Sequence, residues 1–162
     1  MVGQVLSQEE IVKVRQKAKE DGKRVVFTNG CFDILHRGHV EYLRAAGELG
    51  DMLIVGVNTD SSTKKIKGDE RPIVPLEDRM AVLASLKCVD YVTSFDDETP
   101  SELIELLVPD VLAKGGDWKI DEVVGRDTVE KVGGKVVTID LLEGRSTRDI
   151  IGRIVEKYCR EP

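Results

Sequence analysis

Several features that mark common functional classes are missing from this sequence of 162 residues. Its three cysteines, Cys31, Cys88 and Cys159, are widely spaced and form no CxxC pair. This pattern predicts reduced, mostly buried thiols in a cytoplasmic protein and excludes a complete disulfide framework. No apolar run approaches the roughly 20 residues that span a bilayer, and the N-terminus lacks the pattern of a signal peptide. We therefore expect no membrane association.

Two phosphate-binding motifs are absent as well. The sequence has no GxxxxGK[ST] segment, which excludes a P-loop protein, and no GxGxxG segment, which argues against a redox enzyme with a dinucleotide fingerprint. The formal net charge is −6. Nucleic acids and anionic membranes both require a broad basic face. We therefore expect no nucleic-acid partner.

Short apolar runs alternate with amphipathic segments along the chain. Buried strands are predicted at 24–28, 52–58, 91–94, 111–114 and 135–139. Helices are predicted at 7–20, 39–49, 76–86, 100–107, 127–132 and 146–159, and a polar loop at 59–75. This alternation is typical of the α/β class. It predicts a Rossmann-like, doubly wound, five-stranded parallel sheet with helices on both faces.

The length predicts a single domain over residues 1–162, with residues 1–22 as a helical extension packed on it. Ligands of such sheets bind beyond the carboxyl ends of the strands. The unusual residues of this sequence follow those ends. We therefore expect the loops after the first, second, fourth and fifth predicted strands to share one crevice.

Only two histidines occur, His36 and His39, and they flank Gly38 at the start of a predicted helix. Side chains three residues apart share a helix face, and a helix N-terminus favours phosphate. Gly38 allows a phosphate to approach the backbone closely. The turn therefore predicts a phosphate site. No third histidine or paired cysteine completes a zinc site, so no protein-bound metal is predicted.

Residues 36–39 read HRGH and match the HxGH signature of the nucleotidyltransferase superfamily. The surrounding TNGCFDILHRGH resembles the cytidylyltransferase-like family. A second motif of that family, RxxGxSTxxI, is matched at Gly144, Ser146, Thr147 and Ile150. Leu141 stands at its leading arginine. Longer segments, at 28–43, 62–72, 75–80, 114–118 and 143–147, are similar to the adenylyltransferases of ADP-heptose synthesis.

The resemblance implies an enzyme that transfers AMP from ATP to D-glycero-β-D-manno-heptose 1-phosphate. Its products would be ADP-heptose, for lipopolysaccharide-core or related glycan synthesis, and pyrophosphate. The resemblance also implies Mg²⁺ bound mainly through the substrate phosphates, a homodimer and a cytoplasmic location.

Roles for individual residues follow from the matching positions. The implied catalytic residues are His36, His39 and Lys64. The implied nucleotide-binding residues are Thr28, Asn29, Gly30, Cys31, Phe32, Gly38, Gly115, Gly116, Asp117, Gly144, Ser146 and Thr147. The implied acceptor-binding residues are Asp33, Lys67 and Arg71.

Other functions stay open at this point. One alternative is a cytidylyltransferase for glycerol phosphate or another small phosphorylated alcohol, and another is a flavin adenylyltransferase. A nucleotide-binding regulatory protein is a third, although the intact histidine pair argues against it. The sequence alone does not fix the nucleobase.

Overall fold

A computed structural model describes residues 3–116 and 119–159. Its strands are β1 Gln4–Val5, β2 Val25–Gly30, β3 Met52–Asn58, β4 Tyr91–Phe95, β5 Val111–Gly115 and β6 Lys135–Ile139. Its α-helices are α1 Gln8–Glu20, α2 Arg37–Gly47, α3 Asp60–Lys67, α4 Leu76–Ala84, α5 Ser101–Leu107, α6 Arg126–Glu130 and α7 Thr147–Tyr158. A 3₁₀ turn, Ile120–Glu122, precedes α6.

All six strands pair in parallel, in the order β1-β4-β3-β2-β5-β6. The chain runs outward from β2 through β3 to β4 and then returns to the other side of β2 with β5. This reversal is the topological switch point of a doubly wound sheet, where the loops after β2 and β5 diverge and leave a crevice. The predicted fold class is confirmed.

The sheet has one strand more than predicted. Strand β1 consists of two exposed residues that pair with Tyr91 and Val92 at the edge. Two exposed residues create neither an apolar run nor a detectable alternation, so the sequence pattern could not reveal this strand.

The predicted loop 59–75 was also partly wrong, because it contains α3. This helix is polar, and its sequence DSSTKKIK has no helical apolar stripe to detect. The Thr59 side chain caps it by accepting a hydrogen bond from the Ser62 amide at 3.2 Å. The cap and the side-chain contacts of the helix therefore define it in place of an apolar face.

Apolar side chains of the central strands alternate between two clusters, one on each face of the sheet. Val26 belongs to the cluster covered by α2 and α4, whereas its neighbours Val25 and Phe27 belong to the cluster covered by α1, α5 and α6. A strand turns successive side chains to opposite faces. Helices therefore cover both faces, as the sequence predicted.

Helix α1 is held to the sheet by a buried arginine as well as by apolar contacts. Ile11 and Ala18 pack in the second cluster. Between them Arg15 donates from Nε to the Leu107 carbonyl at 3.1 Å and from Nη2 to the Val108 carbonyl at 2.9 Å. These bonds tie α1 to the end of α5.

The three cysteines are free thiols, but they are less buried than predicted. Cys31 and Cys88 are half-buried, and Cys159 is exposed. Cys159 directly follows α7, a helix that buries none of its side chains fully. The predicted burial was therefore wrong for this residue.

Candidate active site

The turn after β2 is fixed at its start by a buried hydroxyl pair. The Thr28 hydroxyl lies 2.7 Å from the Tyr42 hydroxyl of α2. Two residues beyond β2, Phe32 has a left-handed backbone with φ 46°. Bulky residues rarely adopt this conformation unless their surroundings enforce it, and such residues concentrate at functional sites. At Gly30 a Cβ would lie 3.1 Å from the Phe32 ring, so the turn leaves no room for a side chain there.

His36 and His39 lie face to face at the N-terminus of α2. Their ring centroids are 3.8 Å apart with an interplanar angle of 23°. The Phe32 ring packs edge-on against His39 at 5.3 Å. Between the histidines, a Cβ on Gly38 would lie 3.0 Å from the His36 ring and 3.2 Å from the Arg145 carbonyl oxygen. A side chain at position 38 would therefore press on the His36 ring and on the loop before α7.

Both imidazoles are neutral at pH 7. Burial lowers the pKa of His36, although Asp149 opposes the effect. Burial, followed by repulsion from His36, lowers the pKa of His39 to about 4. Within residues 3–116 and 119–159, both Nδ1 atoms are buried without a hydrogen-bond partner. A neutral imidazole carries one N–H donor and one acceptor nitrogen. The pair can therefore donate hydrogen bonds to an anion without itself being charged beforehand.

Asp33 organises the segment that follows α3. Its buried carboxylate accepts hydrogen bonds from the amides of Ile73 and Val74, both at 2.8 Å, and from the Arg71 guanidinium. Burial alone would raise the pKa of Asp33, but these hydrogen bonds together lower it below its ordinary range. The carboxylate is thus an anchor for residues 71–74. The predicted contact of Asp33 with the acceptor stays a prediction.

Arg79 joins three segments that border the crevice, and it was missing from the predicted site. It is 1% exposed. Its guanidinium donates to the carbonyl of Cys31, to the carbonyl of Val74 at 2.9 Å and to the Asp60 carboxylate at 2.7 Å. Arg79 therefore fixes the turn after β2 relative to the first residue of α3. The position of Arg79 on a predicted helix does not indicate these contacts.

Lys64 and Lys67 lie in the last turn of α3 and are exposed. The Lys64 ammonium lies 3.2 Å from the Asp69 carboxylate, and both side chains are mostly in solvent. Such surface pairs contribute little and exchange readily. Within the described ranges, neither lysine forms a hydrogen bond or ion pair with the histidines. The two lysines are therefore free to turn towards a ligand.

The second side of the crevice is formed by β5. Lys114 is 8% exposed, and its ammonium donates a hydrogen bond to the Asn29 side-chain oxygen across the switch point. An ammonium has only donors, so this bond holds the amide oxygen of Asn29 towards Lys114 and directs its NH₂ group elsewhere. Lys114 was not among the predicted site residues, although it begins the KGGDW segment.

The end of β5 approaches β6 closely. The Gly116 amide donates to the Ile139 carbonyl at 2.8 Å. A Cβ on Gly116 would lie 3.3 Å from Asp140, so a side chain would crowd the start of the loop after β6. The predicted nucleotide contact of Gly115 stays a prediction. Asp117 lies outside the described residues.

The N-terminus of α7 meets the turn after β2. The Thr147 hydroxyl donates to the Ile34 carbonyl at 3.4 Å. The Ser146 hydroxyl caps α7 by accepting from the Asp149 amide at 3.1 Å, and it also donates to the Asp149 carboxylate at 2.7 Å. Gly144 has φ +66°, the left-handed conformation that favours glycine. The structure thus brings the EGRST and HRGH segments together, as expected of one crevice.

Fold and site together place a stacked histidine pair at a helix N-terminus, beside a crevice at the switch point of a doubly wound parallel sheet. The cytidylyltransferase-like family model matches residues 27–153. This chain therefore belongs to the cytidylyltransferase-like family.

Curated relatives match most of the chain. Bifunctional protein HldE of Syntrophotalea carbinolica is 51% identical over 150 residues, 93% of this chain and 31% of the relative. The protein of the same name from Nitratiruptor sp. is 56% identical over 146 residues, 90% of this chain and 31% of the relative. The chain thus spans about a third of the length of these curated relatives.

A solved structure supports the same relationship. The lipopolysaccharide core biosynthesis protein from Thermoplasma volcanium is 32% identical, with a TM-score of 0.62. The match covers 76% of this chain and 100% of that one. In the part of the chain that the structure describes, no helix is long and apolar enough to cross a membrane.

The neutral state of His39 has a measurable consequence for stability. Its pKa of about 4 lies below the ordinary value of 6.5. The unfolded state therefore binds the proton more readily, and stability falls as the pH drops from 6.5 towards 4. We expect His39 to account for a loss of about 2 kcal/mol between pH 7 and pH 5. Asp33 titrates below its ordinary 3.8, outside this window.

Urea unfolding of the wild type and of His39→Gln at both pH values measures this loss. The variant is expected to lose about 2 kcal/mol less than the wild type between the two pH values. The change in unfolding free energy between the two pH values is compared, so any destabilisation by the substitution that is equal at both pH values cancels. Equal losses in the two proteins would contradict a neutral, buried His39.

Lys114→Met tests the orientation of Asn29. Loss of the ammonium frees the amide, and we expect a nucleoside triphosphate to bind about 10- to 100-fold more weakly, the effect of one hydrogen bond to a charged group. Lys114→Arg should retain most of the affinity, and Lys87→Met, at an exposed position, should retain all of it. Calorimetric titration gives the three affinities. If Lys114→Met weakens binding equally in an Asn29→Ala background, then Lys114 does not act through Asn29.

Proposed function

We propose that this chain is the adenylyltransferase that transfers AMP from ATP to D-glycero-β-D-manno-heptose 1-phosphate. The products are ADP-heptose and pyrophosphate, and the ADP-heptose serves lipopolysaccharide-core or related glycan synthesis. Identity of about half with the bifunctional HldE proteins over most of the chain supports this proposal. Similarity to the lipopolysaccharide core biosynthesis protein of Thermoplasma volcanium agrees with it.

The stacked histidine pair is the observation that carries the chemistry. Two neutral imidazoles lie at the N-terminus of α2, where backbone amides already favour an anion. Donors of this kind suit the charge that accumulates on a phosphoryl group and on its leaving group during transfer. A redox or hydrolytic function would not require such a pair at a helix N-terminus.

The proposed reaction needs orientation more than base catalysis. The sugar phosphate is already an anion at neutral pH, so its oxygen attacks the α-phosphorus of ATP without first losing a proton. A new P–O bond forms to the α-phosphorus as the bond to the β-phosphate oxygen breaks, and the electron pair leaves with pyrophosphate. His36 and His39 donate to the oxygens that gain charge, and the crevice aligns the two phosphates.

The other cationic side chains have complementary parts in this proposal. Lys64 turns from Asp69 to the triphosphate, and Lys67 binds the acceptor. Arg71, held by Asp33, presents its guanidinium to the phosphate of the sugar. Ser146 and Thr147, at the N-terminus of α7, contact the nucleotide. Charged donors thus approach the substrates from α3 and from the segment after it, whereas neutral hydroxyls and backbone amides approach from the start of α7.

The residues that line this crevice fit Mg²⁺ bound through substrate rather than through protein. The Asp33 carboxylate is already occupied by Arg71 and two amides. The remaining groups are mainly donors, which hold phosphates and not cations. Mg²⁺ would therefore be held by the ATP phosphates with several waters, and it would neutralise part of their charge.

A substrate panel tests the proposal directly. Purified protein is mixed with ATP or CTP and with heptose 1-phosphate, glycerol 3-phosphate or flavin mononucleotide, and pyrophosphate release is measured. We expect turnover with ATP and the heptose phosphate. Turnover only with CTP and glycerol phosphate would support the cytidylyltransferase alternative, and turnover only with flavin mononucleotide would support a flavin adenylyltransferase.

His36→Ala and His39→Ala are expected to reduce turnover in the same assay by at least about 10²-fold, a typical loss when an electrostatic stabiliser is removed. Arg44→Ala is a control on the same helix, because the ion pair that Arg44 forms among the described residues is with Glu41 at the surface. Thermal unfolding establishes that each variant is folded. Turnover near the wild-type rate in both histidine variants would refute their catalytic assignment.

We also propose a homodimer in the cytoplasm. Within the described residues α7 buries none of its side chains fully, although its sequence is amphipathic. Ile154, Val155 and Tyr158 are exposed on it. A second copy would cover this apolar surface. Analytical ultracentrifugation is expected to show a dimer that dissociates in Ile154→Asp and not in Arg153→Asp; a monomeric wild type would refute the dimer.

A further inference from the structure

A cavity of about 400 Å³ lies at the edge of the sheet opposite to the histidine pair. Its walls are the C-terminal turn of α1, the residues before β2, the start of β5 and the turn before β6. These are the amino ends of the strands. The six residues of β2 separate the cavity from the crevice by roughly 16 Å. The volume lies within the usual range for small-molecule sites.

Cationic side chains dominate the lining of this cavity, which we call the basic cavity. They are Arg15, Lys19, Lys23, Arg24 and Lys135. Asp110 is the one carboxylate among the residues that line it, and both of its oxygens are occupied. Arg15 binds one at 3.2 Å and the Val25 amide binds the other at 2.8 Å. A strongly positive cavity thus exists in a chain of net charge −6.

Four of these cations have no ion-pair partner in the described part of the chain: Lys19, Lys23, Arg24 and Lys135. Lys17, by contrast, pairs with Asp21 at 2.9 Å on the same stretch of chain. A basic residue near a helix C-terminus is favoured by the helix dipole, which accounts for Lys19. It does not account for the other three, which lie outside α1.

Arg15 is the buried cation in the wall of the basic cavity. It is 8% exposed, and its Nε and Nη2 atoms are occupied by the Leu107 and Val108 carbonyls and by Asp110. Asp110 is shared between Arg15 and the Val25 amide, so it offsets only part of the positive charge that lines the cavity.

We infer that the basic cavity is a second anion site, which binds a small molecule carrying phosphate groups. Clustered ammonium groups attract several negative charges at once, and a guanidinium favours planar, multiple contacts with phosphate oxygens. A phosphorylated small molecule fits the volume and the charge together. The inference does not depend on the proposed activity, since the cavity and the crevice are at opposite ends of the strands.

Pyrophosphate is the probe, and amide resonances of ¹⁵N-labelled protein locate its binding. Gly22, Gly133 and Gly134 line the basic cavity, whereas Gly38 reports on the crevice. We expect the first three resonances to shift with one common affinity that differs from that of Gly38. The affinity should also fall as salt is added, because the cavity is open to screening ions. Absence of shifts at the three glycines would overturn the inference.

A matched pair of charge-reversal variants tests the lining. Lys23→Glu/Lys135→Glu should weaken binding at the three glycines by at least about tenfold and leave Gly38 unchanged. Lys13→Glu/Lys157→Glu has the same net charge but leaves the basic cavity intact, so it should bind as the wild type does. Equal weakening in both variants would show a general charge effect and refute the site.

Two further arms complete the test. Single Lys23→Gln and Lys135→Gln variants replace the double variant if thermal unfolding shows that it is not folded, and each should weaken binding at the three glycines.

Citrate carries carboxylates in place of phosphates. Tighter binding of citrate than of pyrophosphate would overturn the assignment of phosphate as the ligand chemistry, whereas weaker binding would support it.

Discussion

Strand β2 pairs in parallel with β3 on one side and with β5 on the other, and the position of every functional loop follows from this arrangement. Parallel strands end at the same edge, so the turns after β2 and β5 begin side by side. The chain reverses direction across the sheet between these two strands, which leaves a gap between the turns. Asn29 and Lys114 meet across that gap. The order of the strands therefore creates the crevice, and the individual side chains then shape it.

Two arginines hold the loops around the crevice in defined positions. Arg79 connects the turn after β2 with α3 and with Val74, and Arg71 connects the same turn with the segment before α4 through Asp33. Both bonds use buried or partly buried charges whose partners are held by further hydrogen bonds. Removing one partner of such a pair leaves an uncompensated polar group, which is costly. The loops are consequently held by polar side-chain contacts, whereas the helices pack on the sheet largely through apolar ones.

Much of the fold could be predicted from the sequence because it depends on local patterns. Buried strands such as β3 are continuous apolar runs, and the capping box of Ser7 and Glu10 is present as the sequence indicated. The exceptions have physical causes. Strand β1 is too short to create a pattern, and α3 is stabilised by a cap and by side-chain contacts with no apolar face.

The parts of the candidate site that consist of contiguous motifs could be predicted from the sequence. The parts formed by residues far apart in the chain could not. The HRGH and EGRST segments were visible in the sequence, and the Thr147–Ile34 contact joins EGRST to the turn that leads into HRGH. Arg79 and Lys114 were missed because their contacts with residues of β2 and the turn after it span 48 and 85 residues. Asp33 was expected to contact the acceptor, whereas its carboxylate is occupied by the protein itself. Long-range hydrogen bonds have no signature in a single sequence.

The contact between the two imidazole rings has one more consequence. Because the two ring centroids are only 3.8 Å apart, a proton on one imidazole lowers the affinity of the other imidazole for a proton. Titration then belongs to the pair and not to either residue. An anion in the crevice favours protonation of the pair, and the first proton taken up makes the second less favourable. Ligand binding and proton uptake are thereby linked through two rings that titrate as one unit.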